Sequence, residues 1–184
     1  MKVLVLFSSP NKNGNTFKLL ERFLEGLGQE VDFIDVYKKN IRPCIDCKMC
    51  YKIEKCSIKD DMTEIYKKIN ESDIIVIATP IYFANVPSPL KALIDRLQVY
   101  WSKKYIRKDR ENIKEKIGVI LTVGGTYWEN MFMSSEEVLK LAFSAMDAKE
   151  IHKVYGVNTD QIPIEKSEEV MNRAYNLGYQ LRTK

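Results

Sequence analysis

I-I-V-I-A-T-P, residues 74–80, carries five apolar side chains in succession before it meets a threonine and a proline. A strand with one wet face alternates apolar and polar residues, so a stretch apolar at every position is a strand covered on both faces, the mark of a parallel sheet. V-L-V-L-F at 3–7 has the same character, and so has the run at 117–123; a further strand is expected at 150–155, and Val31, Phe33, Ile34 and Val36 form a shorter one. Helical spacing fills the gaps. Phe17, Leu19, Leu20, Phe23, Leu24 and Leu27 form one apolar stripe. Met62, Ile65, Tyr66 and Ile69 form another, on a helix capped by Asp60 or Asp61 and running through Asn70. Further helices are predicted at about 88–101, 134–146 and 166–182. Strand and helix alternate throughout, which specifies an α/β doubly wound sandwich with right-handed crossovers and helices on both faces.

The chain of 184 residues reads as one domain, 1–184, with a cysteine-rich excursion at about 41–59. A formal charge of +4 is dispersed, as in Y-K-K-I-N-E at 66–71, where cations and anions share a solvated helix face. That mixing argues against a nucleic-acid track. The surplus suits anionic nucleotides. No apolar stretch approaches a membrane span, and the first residues run straight into a strand, so no membrane association and a cytoplasmic location are expected. All four cysteines fall between Cys44 and Cys56. Stapling cysteines would be dispersed, so the cluster points to metal or redox chemistry.

Ligands of open α/β sheets bind beyond the carboxyl ends of the strands. S-S-P-N-K-N-G-N-T at 8–16 is rich in hydroxyls and amides and feeds a helix N-terminus. Backbone N–H groups together with Ser9, Asn13, Asn15 and Thr16 can satisfy a phosphate there; the alternative is that Asn15 or Thr16 serves only as a helix cap. Neither the Walker pattern nor the dinucleotide fingerprint is present. T-P-I-Y-F-A-N-V-P-S-P-L-K at 79–91 sets Tyr82 and Phe83 between prolines, where they can flank a flat ring or simply pack. T-V-G-G-T-Y-W at 122–128 offers Gly124 and Gly125 for close approach to backbone, or for a tight turn. A phosphoacceptor module would need acidic residues after the first strand and an aspartate after the third. Ser8-Ser9 and Thr79-Pro80 stand there instead.

In S-P-x-x-x-G-N-T at 9–16, P-C-x-x-C-x-x-C-x-x-x-x-x-C at 43–56 followed by Asp60-Asp61, T-P-I-Y at 79–82 and L-K-x-L-I-D-R at 90–96, the chain resembles the flavodoxin-like NAD(P)H-dependent FMN reductases, and within them the iron–sulfur flavoproteins. The resemblance covers roughly residues 1–130. It implies a five-stranded sheet of order 2-1-3-4-5 and FMN, its phosphate on Ser9, Asn13, Asn15 and Thr16, with Asn11 also among the cofactor-binding residues. The isoalloxazine would lie against Pro80, Ile81, Tyr82, Phe83, Ala84 and Asn85, and against Thr122, Gly124 and Gly125. It also implies helix docking and subunit contact for Lys91, Asp95 and Arg96. Cys44, Cys47, Cys50 and Cys56 would hold a [4Fe–4S] cluster, for which C-x2-C-x2-C-x5-C is a compact enough spacing; zinc and free thiols remain the alternatives.

Lys48, Lys52, Lys55 and Lys59 around the run are expected to offset thiolate charge, and His152 to be structural. With FMN bound, an acid–base pair is not needed. The implied donors are NADH, NADPH or a ferredoxin-like protein, the implied acceptors a quinone, a flavin or another small molecule, with Tyr127 and Trp128 framing the acceptor side. A homodimer or homotetramer is expected. The rival reading is an electron carrier or binding module with no reaction of its own.

Overall fold

The computed structural model describes residues 1–109 and 113–182. Its sheet is built from β1 (Val3–Phe7), β2 (Asp32–Asp35), β3 (Ile74–Pro80), β4 (Lys116–Val123) and β5 (Ala148–Gly156), in the order β2-β1-β3-β4-β5. Every pairing is parallel, with Val5 opposite Val76, Val76 opposite Val119 and Val119 opposite His152. This is the expected order.

The continuous apolar strands owe their character to two cores. Val3, Val5 and Phe7, with Ile74, Val76, Ala78, Val119 and Leu121, face α1 (Asn15–Leu27) and α7 (Glu168–Leu181). Leu4, Leu6, Ile75, Ile77 and Ile120 face the opposite layer of α3 (Met62–Glu71), α4 (Ser88–Arg96) and α6 (Met133–Ala145). Period-two alternation thus sends successive apolar residues into different cores. α1 and α7 meet where Gly26 and Gly178 leave their backbones bare. A Cβ on Gly178 would stand 2.1 Å from the Phe23 carbonyl oxygen, and one on Gly26 2.0 Å from that of Tyr175.

Two expectations need adjustment. The single helix predicted over 88–101 is divided at Leu97, whose φ of −67° and ψ of −2° interrupt the α geometry between α4 and α5 (Gln98–Tyr105). The cysteine excursion contains one helical turn, α2 (Met49–Lys52), which packs on α5. Its period is too short to register in the sequence. Among the described residues, no helix is long and apolar enough to cross a membrane.

Candidate functional site

Order 2-1-3-4-5 reverses direction between β1 and β3, and in sheets of this kind ligands bind among the loops beyond the carboxyl ends of those strands. Hydrogen bonds tie those ends together: Ser8 N–H donates to the Ala78 carbonyl at 2.8 Å, Ile81 N–H to that of Val123 at 2.9 Å. The Thr122 hydroxyl donates to the Thr79 carbonyl at 3.0 Å. The three loops singled out in the sequence therefore stand along one sheet edge.

Within the first loop, Asn11 accepts from the Asn13 N–H at 2.9 Å, an Asx turn that leads into Gly14 at the α1 N-cap. Gly14 offers no side chain, so the first amides of this 13-residue helix are left without a cap. An uncapped N-terminus with its positive dipole end is a ready anion site. Ser9 and Thr16 are buried there, Asn11 and Asn13 exposed, and the Ser8 hydroxyl is buried with no partner. Asn15 is differently employed: its amide donates to the Thr159 carbonyl at 3.2 Å and accepts from the Ile164 N–H at 2.9 Å. It braces the loop after β5 against α1.

After β3, Tyr82 and Asn85 exchange backbone hydrogen bonds of 2.8 and 3.0 Å around Phe83 and Ala84, whose φ angles are +50° and +58°. Non-glycine residues resist that region by roughly 1–2 kcal/mol each, so the turn is strained. Phe83 projects fully into solvent, with Tyr82 half exposed beside it. Tyr37, after β2, has its hydroxyl pKa raised by burial and by Tyr82 nearby. Pro80 ends β3 opposite Val123.

The loop after β4 holds a surprise at its glycines. A Cβ on Gly125 would stand 2.3 Å from an Asp160 carboxylate oxygen, and one on Gly124 2.1 Å from the Met131 methyl. The close approach these glycines permit is made by the chain itself. Thr159 donates its hydroxyl to the Gly124 carbonyl at 3.2 Å, and Asp160 N–H reaches the Gly125 carbonyl at 2.9 Å. Residues 158–164 thus form a fourth loop at this edge, one that sequence reasoning passed over because only its polar composition marks it. Tyr127 and Trp128 line an adjoining cleft of about 320 Å³ with Phe132, Glu136 and Lys140. Burial alone would raise the Glu136 pKa, but bonds from Lys140, Lys153 and Tyr155 outweigh it and lower it to about 2. His152 contacts Glu150 at 2.7 Å on β5.

The cysteine segment lies elsewhere, at the far end of α4. From Ser88 to Arg96 that helix rises about 12 Å, away from the aromatic loop. Cys44, Cys47, Cys50 and Cys56 line one cavity together with Ser57, Arg96, Gln98 and Val99. Left-handed backbone at Asp46 and Lys48 coils the run. The Ser57 hydroxyl lies 3.0 Å from Cys47 Sγ, and with the Met49 amide it holds that thiol below its ordinary range. Ser102, buried on α5, donates to Cys50 Sγ at 3.3 Å. Among the described residues, no three His, Cys, Asp or Glu side chains are yet drawn to metal-ligand distance. The donor set nonetheless suits a thiolate-bound metal: four sulfurs on one cavity, with hydroxyl and amide donors aimed at two of them.

What fastens this segment is Arg96, for which the family resemblance implies helix docking and subunit contact. It does not reach the surface. Arg96 and Asp60 are each 1% exposed and form a two-pronged ion pair, Nη1 to Oδ2 at 2.7 Å and Nη2 to Oδ1 at 3.1 Å. Asp60 also accepts the Met62 N–H at 3.1 Å as a cap of α3, while Asp61 accepts from the Asn40 N–H at 2.8 Å. Lys91 and Asp95 pair with each other on the half-exposed face of α4 at 2.6 Å.

The sequence profile of the family described as NADPH-dependent FMN reductase matches residues 1–161. The chain is 42% identical to an iron-sulfur flavoprotein of Methanocaldococcus jannaschii over 52% of its own length, and 36% identical to one of Methanosarcina thermophila over 68%. It spans only 51% and 64% of the lengths of those two relatives. An iron-sulfur flavoprotein of Archaeoglobus fulgidus is 31% identical over 97% of the chain and 77% of its own. Among solved structures, the fold matches an NAD(P)H:quinone oxidoreductase from Methanothermobacter marburgensis with a TM-score of 0.77 at 20% identity, covering 98% of this chain and 96% of that one.

Proposed function

The chain belongs to the NADPH-dependent FMN reductase family, in its iron–sulfur flavoprotein branch, and from that premise we propose that it is an FMN-containing oxidoreductase, accepting electrons from NADH or NADPH and delivering them to a small-molecule or protein acceptor. The observation that carries this reading is the uncapped N-terminus of α1 where strand order reverses between β1 and β3, with the buried, partnerless Ser8 hydroxyl beside it. A phosphate monoester supplies the acceptors these donors lack. When bound, FMN supplies hydride acceptance and one-electron release.

The side chains have separate tasks. Ser9, Asn11, Asn13, Thr16 and the α1 amides hold the phosphate, and Asn15 holds the α1 N-terminus against the loop after β5. Pro80 to Asn85 present the strained, exposed turn that covers a flat ring on one side; the backbone of Thr122, and of Gly124 and Gly125, whose Cβ-facing sides Met131 and Asp160 already fill, bounds the other. Tyr127 and Trp128 frame the acceptor's approach, for which a quinone or free flavin is the fitting class. Cys44, Cys47, Cys50 and Cys56 hold the [4Fe–4S] cluster of the branch.

The reading takes residues 1–184 as one cytoplasmic domain that works as a homodimer or homotetramer. A groove of about 410 Å³ between α4–α5 and α6, bordered by exposed Trp101, Tyr105 and Leu141, supports a second copy there.

Anaerobic titration of the FMN-loaded protein with NADH and NADPH tests the assignment. Bleaching of the flavin absorption by either nucleotide, followed by its return on adding a quinone, is expected. A flavin that neither nucleotide reduces, but a reduced ferredoxin does, would make the protein a carrier instead.

A further inference from the structure

A guanidinium has five N–H donors, and burying it is tolerable only when they are satisfied. Arg96 is 1% exposed. Its Nη1 donates to the Arg42 carbonyl at 2.8 Å and to Asp60, and its Nη2 to the Ile58 carbonyl at 3.2 Å and to Asp60. Those four bonds reach residues 42, 58 and 60, the two ends of the cysteine segment. The fifth donor, on Nε, is buried with no partner. An orphaned buried donor costs about 1–3 kcal/mol and calls for an acceptor that arrives from outside the chain or with a change in it. Arg96 lines the cavity that the four cysteines share, and Cys56 lies close enough to act on its charge.

We propose that Arg96 is the positioning residue of the cysteine site: its terminal nitrogens clamp both ends of segment 42–60 so that the four thiols face one cavity, and its Nε–H is donated to a sulfur of the cluster assembled there. This rests on the cluster assignment made above. The lysines of the segment are poorer candidates for tuning it. Lys48 pairs with Asp46, and Lys52, Lys55 and Lys59 stand in solvent, where water and salt screen their charge. A buried cation that also donates a hydrogen bond stabilises the more negative, reduced cluster and so raises its potential.

Two readouts on Arg96→Gln and Arg96→Lys test the proposal. In the metal-free protein, hydrogen exchange of the amides at 42–60 should quicken at least tenfold in Arg96→Gln, with the amides of β1 and β3 unchanged. In the iron-reconstituted protein, the cluster's one-electron equilibrium should shift at least tenfold toward the oxidised form, a fall of 59 mV in midpoint potential. Arg96→Lys keeps the charge and loses the fork, so its potential should lie between the two while its exchange resembles that of the glutamine variant. It carries both comparisons if Arg96→Gln does not fold. Unchanged exchange at 42–60 overturns the clamp, and a midpoint potential equal to that of the parent overturns the Nε bond. A parent chain that takes up no iron contradicts the cluster assignment instead, and the exchange comparison still decides the role of Arg96.

Discussion

Asp60 and Arg96 stand 36 residues apart in sequence and bond side by side in the core. A buried pair of this kind is weak evidence of net stabilisation, but breaking it strands a charge in the interior. Asp60→Asn should therefore cost about 3–5 kcal/mol in chemical denaturation at neutral pH. Burial opposes ionisation of Asp60, yet the bonds from Arg96, Arg42 and Met62 prevail and lower its pKa. Glu136 presents the same sign more openly. Its pKa drops from an ordinary 4.5 to about 2, so its contribution is complete above the unfolded-state value and vanishes as the pH falls through the folded one. Glu136→Gln should melt below the parent at pH 7, and the gap should close as the pH approaches 2. A gap that persists there would show that shape at this position, rather than charge, holds Lys140, Lys153 and Tyr155. Neither the Asp60–Arg96 pair nor the reach of Lys153 and Tyr155 to Glu136 was legible in the sequence. Asp60 reads as a helix cap, which it also is, and nothing in L-I-D-R at 93–96 tells which of its charged residues turns inward.

The elements were easier to read, because burial on two faces leaves a pattern that composition alone reveals. The strands at 3–7 and 74–80 and the stripe of α1 came through, since each residue's neighbours in the fold are of one kind. What did not come through depends on a partner distant in the chain. The break at Leu97 has no proline or glycine to announce it, and α2 is too short to show a period. Gly26 and Gly178 look like weak points within helices until α1 and α7 are seen to cross on them. Gly178→Ala would set a methyl 2.1 Å from the Phe23 carbonyl oxygen. Backbone must move to admit it, and a loss of about 1–3 kcal/mol is expected from thermal or denaturant unfolding. An alanine variant as stable as the parent would mean that the two helices pack farther apart than described.

Across the molecule, the sheet order explains why three loops far apart in sequence form one edge. Polar richness at 8–16, aromatics at 82–83 and paired glycines at 124–125 could each be seen singly. The fourth loop at 158–164 could not, because its part is to fill the space over Gly124 and Gly125 and to receive Asn15. The cysteine run was the most conspicuous sequence feature, yet its placement at the opposite end of α4 follows only from the fold. Two candidate sites thus share one scaffold: an uncapped helix N-terminus where strand order reverses, and a cysteine-lined cavity whose segment is held by a buried arginine.

The phosphate grip is the foundation of the whole reading, and comparing FMN with riboflavin isolates it. Calorimetric titration of the cofactor-free protein should give one FMN per chain. Riboflavin, which lacks only the phosphate, should bind roughly a hundredfold more weakly, about 2.7 kcal/mol, within the range of one charge-assisted hydrogen bond at the α1 N-terminus. Equal affinity for the two, or no affinity for FMN, would contradict it.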